Sequence, residues 1–201
     1  MQELVVEDLG PAVLRAALKQ QSRSPGSTLF IQVAGDAWDH RVTDADHSHP
    51  AVSKLHALVL AVHAAPGPVV VELQGAVSGL GLALALAADL RVAAPTATFS
   101  AGSPDGGALL LAGASRLLAD AVGTGVLAQL AWTGAVLRAE EALARGLVGA
   151  VSADPEAARA LAKQVAALAP STASALARAL RGRAHPDLRT AMEYEAWLAG
   201  V

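Results

Sequence analysis

The chain contains no cysteine, which excludes disulfides, thiolate metal sites and cysteine nucleophiles. Aromatic residues make up only 3% of its 201 residues while hydrophobic residues make up 53%. Its core must therefore be built mainly from Ala, Leu and Val. Charge of one sign is also lacking: 15 Lys and Arg against 18 Asp and Glu leave a net charge of −3 with no basic cluster in the sequence. That balance argues against nucleic acid as the main partner. No run of about eighteen apolar residues without breakers occurs, so no membrane span is expected. The opening MQELVVEDLG has neither the basic n-region nor the apolar h-region of a secretory leader, and a soluble, cytoplasmic protein is the expectation. The length fits one domain.

The most informative segment runs from Pro68 to Asp89, PVVVELQGAVSGLGLALALAAD. A β-branched strand leads into a turn punctuated by Gly75, Gly79 and Gly81, then into an Ala/Leu stretch. Alternation of Leu82, Leu84 and Leu86 with Ala83, Ala85 and Ala87 is compatible with a strand on period alone. The absence of β-branched residues after Val77 and the high helix propensity of Ala and Leu decide for a buried helix. A helix that begins in such a turn presents unpaired N–H groups and the positive end of its dipole, suited to a carbonyl oxygen gaining negative charge. The same pattern is also compatible with a tightly packed strand–turn–helix crossover that binds nothing.

Elsewhere, Pro11–Gln21 reads as an amphipathic helix and Thr28–Val33 as a short buried strand. A helix is expected over Ala51–Ala65, stopped by Pro66-Gly67-Pro68, and short strands near Leu90–Ala93 and Ala97–Ser100. A Gly/Pro loop from Ala101 to Gly107 precedes helices near Gly113–Val122, Gly123–Ala131, Asp154–Leu168, Ser171–Arg181 and Asp187–Leu198. Strand-then-helix alternation with short buried strands gives an α/β fold, a spiral of ββα-like units. Residues 1–150 form its core and 151–201 a helical C-terminal region within the same domain.

The glycine turn resembles the oxyanion-hole region of the crotonase (enoyl-CoA hydratase/isomerase) superfamily, roughly N-G-x-A-x-G-G-G-x-E-L-A-L-A-x-D. Gln74 takes the Asn position, Gly75, Gly79 and Gly81 match, Leu80 replaces the middle glycine and Ala83 stands where a hydratase has Glu. Trp132 to Val148, with Thr133-Gly134, Ala139-Glu140-Glu141-Ala142 and Gly146-Leu147-Val148, resembles the family's L-T-G-x-x-x-x-A-E-E-A-x-x-x-G-L-V element. The resemblance spans about Thr28 to Arg181. It implies a crotonase-like spiral, an acyl-CoA or polyketide thioester as ligand, no separate cofactor, and a trimer or hexamer built through the C-terminal region. It also implies an oxyanion hole made by the N–H groups of Leu80 and, in the loop Trp38–Thr43, Val42. Ser78, Gly79 and Ser103 would then line the substrate.

The departures bear on the chemistry. Hydratases use two carboxylates to activate water and protonate the α-carbon. Here one position carries Ala83 and the other Ser103, so ordinary hydration is not expected. Leu80 brings a side chain that could crowd a thioester. Asp105, in Ser103-Pro104-Asp105-Gly106-Gly107, is the first candidate for a lone base, although Asp before Gly-Gly is also an ordinary turn signal. His40 beside Asp39 is the second candidate base, or else a solvated loop histidine. Ser78 and Ser103 have no evident activating base and are read as hydrogen-bonding residues. Asp44, Asp46, His47 and His49 have metal-capable side chains in what reads as a solvated loop, and no metal site is expected. His56 and His63 share one helix face and read as packing or surface residues. Arg91 and Arg138 have the charge to meet a CoA phosphate, or are ordinary surface arginines.

The small size, the missing glutamates and the S-P-D-G-G loop are similar to the short accessory crotonases of dihydroxyphenylglycine biosynthesis, which assist a type III polyketide synthase. Two function classes follow. One is an enzyme of enolate-type chemistry (isomerase, dehydratase or lyase) on an acyl-CoA or polyketide thioester. The other is an accessory protein that keeps the thioester pocket without catalysis and works beside a polyketide synthase.

Overall fold

The computed structural model describes residues 11–34, 49–102 and 112–182, together with Arg189 and Met192. Helix α1 (Pro11–Arg23) leads into strand β1 (Leu29–Ala34). Helix α2 (His49–His63) precedes strand β2 (Val69–Gln74), the two-residue strand β3 (Ala76–Val77) and helix α3 (Gly79–Ala87). Strands β4 (Leu90–Ala93) and β5 (Thr98–Ser100) follow, then helices α4 (Ala114–Val122) and α5 (Thr124–Thr133). Strand β6 (Val136–Arg138), helix α6 (Ala139–Ala144), strand β7 (Ala150–Val151) and helices α7 (Ala157–Ala166) and α8 (Pro170–Gly182) complete the described chain.

Strands β1, β2, β4 and β7 lie side by side, every neighbouring pair parallel. A second sheet joins β3 parallel to β5, and β5 antiparallel to β6. Parallel strands buried on both faces tolerate unbroken apolar runs, which explains Val69-Val70-Val71. Val69, Val71 and Leu73 join Leu29, Ile31 and Val33 in the main core beneath α2 and α3. Val70, Phe30 and Val92 point the other way, onto Ala158 and Ala162 of α7. Helix α3 is buried from Leu80 to Ala87. A helix apolar all round belongs inside a protein, and its alanines let α2 and α4 pack closely against it.

The C-terminal helix α8 is fastened to the rest by polar contacts. Arg181, only 9% exposed, donates from Nε to Asp89 Oδ1 at 2.8 Å and from Nη2 to Asp89 Oδ2. Its Nη1 donates to Ala65 O and its Nη2 to Gly67 O at 3.0 Å. Ser174 Oγ adds a bond to Pro66 O at 2.7 Å. Asp89 in turn accepts from the N–H of Val69 at 2.8 Å, where β2 begins.

The elements expected from the sequence occur in the expected order, including the helical state of α3, while helix α6 and strands β3, β6 and β7 had not been expected. Helix α7 starts later than expected because Asp154 is engaged in a turn: its N–H reaches Ser152 Oγ at 3.1 Å and its Oδ1 accepts from Glu156 N at 3.0 Å. Strands β3, β6 and β7 are too short for period-two alternation to reveal them. Most of the helix expected over Asp187–Leu198 lies outside the described residues; Met192 is buried in the main core.

Candidate functional site

The turn between β2 and α3 is held by its main chain. Gly75 has φ +68° and Gly79 φ +50°, a left-handed conformation that costs an L-residue roughly 1–2 kcal/mol. The carbonyl of Gly75 accepts from Thr98 N at 2.9 Å, which ties the turn to β5. Ser78 is extended (φ −144°, ψ 179°) and its hydroxyl does not cap α3. The bond from Leu82 N to Ser78 O, at 3.1 Å, opens the α3 ladder. The N–H groups of Gly79, Leu80 and Gly81 lie ahead of that bond, at the positive end of the helix dipole. A Cβ built on Gly79 meets no atom within 4 Å among the described residues. Among the described residues, backbone angle rather than crowding therefore calls for glycine there.

Ser78, Gly79 and Leu80, all expected at the site, thus come together in one turn of chain. Leu80 is 7% exposed and packs with the main core. The core thus takes up its side chain. Ala83, one turn further along α3, is fully buried. A carboxylate there would lose its water, a cost of several kcal/mol unless it were paired.

His40, Val42, Ser103 and Asp105 lie outside the described residues. The points where the chain enters those segments are informative. Ala34 pairs in register with Gln74, so the chain leaves β1 beside the residue that precedes the turn. Strand β5 pairs with β3 through Ala76↔Thr98 and Val77↔Phe99, so the chain leaves β5 alongside Ser78.

Arg91 departs from its expected alternatives. Its guanidinium donates to Leu147 O and Ala88 O, both at 2.7 Å, and to Ala85 O at 3.3 Å. Burial pulls its pKa below the ordinary arginine value, against an opposing pull from Asp89. It is a clamp on main-chain carbonyls at the end of α3. Arg138 is exposed on β6, and its N–H donates to Glu141 at 2.9 Å. His63 is buried on α2, in keeping with a packing role. Among the described residues no group of three or more His, Cys, Asp or Glu is placed to hold a metal ion. No helix among them is long and apolar enough to cross a membrane.

One polar arrangement had no place in the sequence expectations. Glu72 on β2 is 6% exposed and accepts from Gln32 Nε2 at 2.6 Å and from Gln74 Nε2 at 3.0 Å. Gln32 is its register partner on β1. The three share the sheet face occupied by Phe30 and Val70, opposite the main core. The signal available in the sequence was the break in an apolar strand at alternate positions, Glu72 and Gln74.

Comparison with known proteins bears on this geometry. The enoyl-CoA hydratase/isomerase family model matches residues 35–200, and the chain belongs to that family. It is 34% identical over 158 residues to a Mycobacterium tuberculosis protein named Probable enoyl-CoA hydratase EchA14; the match covers 75% of this chain and 62% of the relative. The chain thus spans less than two thirds of that relative's length. Cyclohexa-1,5-dienecarbonyl-CoA hydratase of Thauera aromatica is 29% identical over 190 residues, 90% of this chain and 73% of the relative. The crystal structure of an enoyl-CoA hydratase/isomerase from Pseudoalteromonas atlantica T6c superposes with a TM-score of 0.79 at 25% identity, covering 98% of this chain and 86% of that one.

Proposed function

We propose that this chain binds an acyl-CoA or polyketide thioester with the carbonyl oxygen at the first turn of α3, and that it carries out isomerase, dehydratase or lyase chemistry through an enolate. The observation that carries the reading is the Gly75–Gly79 turn, which opens a buried helix at a glycine that no other described residue crowds. Main-chain donors fixed in advance stabilise charge as it develops on a thioester oxygen. The N–H of Leu80 is one donor and that of Val42 the other, with Ser78, Gly79 and Ser103 against the substrate. Asp105 removes the α-proton, with His40 as the alternative base. The C–H electron pair becomes the enolate double bond while the carbonyl pair moves onto oxygen.

Ordinary hydration lies outside this reading, because the core position Ala83 offers no carboxylate. The protein would work as a homo-trimer or hexamer in the cytoplasm, in bacterial specialised metabolism. A second reading, favoured by the apolar Leu80 and Ala83 packed in the core, is a non-catalytic thioester-binding accessory protein for a partner such as a type III polyketide synthase.

Proton exchange tests the two against each other. Acyl-CoA incubated with the protein in D₂O should lose its α-proton signal by NMR at a rate proportional to protein concentration. Tight binding of the acyl-CoA by calorimetry without exchange would favour the accessory protein. Neither binding nor exchange, across short, branched and aromatic acyl-CoAs, would remove both readings.

A further inference from the structure

Ion pairs among the described residues join charges on or beside three of the eight helices. Arg116 meets Asp120 on α4 at 2.9 Å, Arg159 meets Glu156 beside α7 at 3.8 Å, and Arg181 of α8 is paired with Asp89. Helix α1 takes part in none of them and carries charge of one sign only. Arg15, Lys19 and Arg23 follow one another at i, i+4 and i+8, all exposed, and no ion pair joins any of them to a described residue. No Asp or Glu occurs between Pro11 and Ala34, although acidic residues outnumber basic ones in the chain as a whole. Arg23 lies in the last turn, where the helix dipole favours a cation. Arg15 lies in the other half of the helix, which the dipole does not explain. An open depression of about 480 Å³ is lined by Ala16, Lys19, Gln20, Arg23 and Ser24.

We infer that this face of α1 is a docking surface for an acidic helix of a partner protein. The three cations form a row about 12 Å long along the axis, at 1.5 Å per residue, which winds by roughly 80° around the helix. Carboxylates at i, i+4 and i+8 on a second helix would repeat the same spacing. The row is rigid because Leu14, Ala17 and Leu18, on the opposite face, are buried in the main core. A membrane-surface helix needs large apolar side chains to enter the lipid. The neighbours of this row are Ala16, Gln20, Ser22 and Ser24, and the apolar face of α1 is already covered. Nucleic acid is disfavoured by the negative net charge around so short a row. The Arg23 end of the row is also placed away from the thioester site of the proposed function. Arg23 and Ser24 lie by the start of β1, where Leu29 N bonds Pro68 O, whereas the Gly75–Gly79 turn lies where the strands end.

A labelled helical peptide bearing glutamates at i, i+4 and i+8, titrated against the full-length protein at low salt by fluorescence anisotropy, tests this. It should bind about tenfold more tightly than a peptide of the same composition with its glutamates scattered around the helix. The triple variant R15E/K19E/R23E should lose about tenfold, consistent with three exposed ion pairs. R15Q/K19Q/R23Q serves if charge reversal impairs folding, and thermal melts check that each variant is folded. Absence of binding, equal binding of both peptides, or equal binding by the triple variant would overturn the inference. So would tighter binding to anionic phosphatidylglycerol vesicles or duplex DNA, or displacement of the peptide by CoA.

Discussion

Arg181 and Asp89 form a two-pronged, largely buried ion pair across 92 positions of sequence, and between them they also satisfy main-chain groups of Ala65, Gly67 and Val69. A charge pair taken out of water is not in itself strongly stabilising, but breaking one side strands the other. Arg181→Met should therefore cost about 3–5 kcal/mol, read by urea unfolding. Hydrogen exchange should show α8 loosening before the β1–β2–β4 core. A loss under about 1 kcal/mol would mean that water replaces the guanidinium easily.

Gly79 should tolerate substitution in proportion to the ease with which the new residue adopts positive φ. Gly79→Ala is expected to cost roughly 1–2 kcal/mol and to weaken acyl-CoA binding, with Asn less harmful because it visits the left-handed region more readily. Thermal melts and calorimetric titration with an acyl-CoA would show that order. Equal effects of Ala and Asn would point to a space restriction instead.

Crotonyl-CoA should not be hydrated at an appreciable rate. Each positioned acid or base contributes about 10²–10⁴-fold, so Ala83 and Ser103 at the two hydratase positions that the resemblance implies would leave several powers of ten to recover. Loss of the enoyl absorbance at a rate near that of an ordinary hydratase would show that other groups had taken over both roles.

Asp105→Asn keeps the size and turn preference of the residue and removes the base. The α-proton exchange rate should drop at least about a hundredfold, with acyl-CoA affinity little changed. If exchange persists, His40→Gln becomes the informative variant, and loss of exchange there would transfer the role.

Light scattering at micromolar concentration should give the mass of a trimer or hexamer. A monomer would leave the exposed Leu176 and Leu180 of α8 and Trp132 of α5 without the contact their apolar surface calls for.

How much of this could be read from the sequence depended on the kind of signal each part carries. Helix α3 was legible because Ala and Leu without β-branched residues decide its state whatever surrounds it. The glycine turn was legible because glycine adopts the angles found at Gly75 and Gly79 at the least cost. Strand β3 was not, since two residues carry no period and Ala76–Val77 becomes a strand only by pairing with Thr98 and Phe99. Arg91 was misjudged for a related reason. An arginine's side chain reveals its role only once its partners, here carbonyls contributed by residues as distant as Leu147, are in place. Within the site, Ser78, Gly79 and Leu80 could be grouped in advance because they are consecutive. Glu72 and Gln32 could not, because the strand register that sets them side by side is a tertiary fact.

The bond from Thr98 to Gly75, together with the angles of Gly75 and Gly79, makes the turn before α3 a piece of architecture that owes almost nothing to side chains. Such a frame separates evolvability from stability. On the proposed function, mutations following β1 and β5 would exchange acids, bases and wall residues while the main-chain amides of the turn stay put. An engineer wishing to install a new reaction here would do well to vary those two segments. Position 83, sealed inside the protein, is a poor place to add a reactive group.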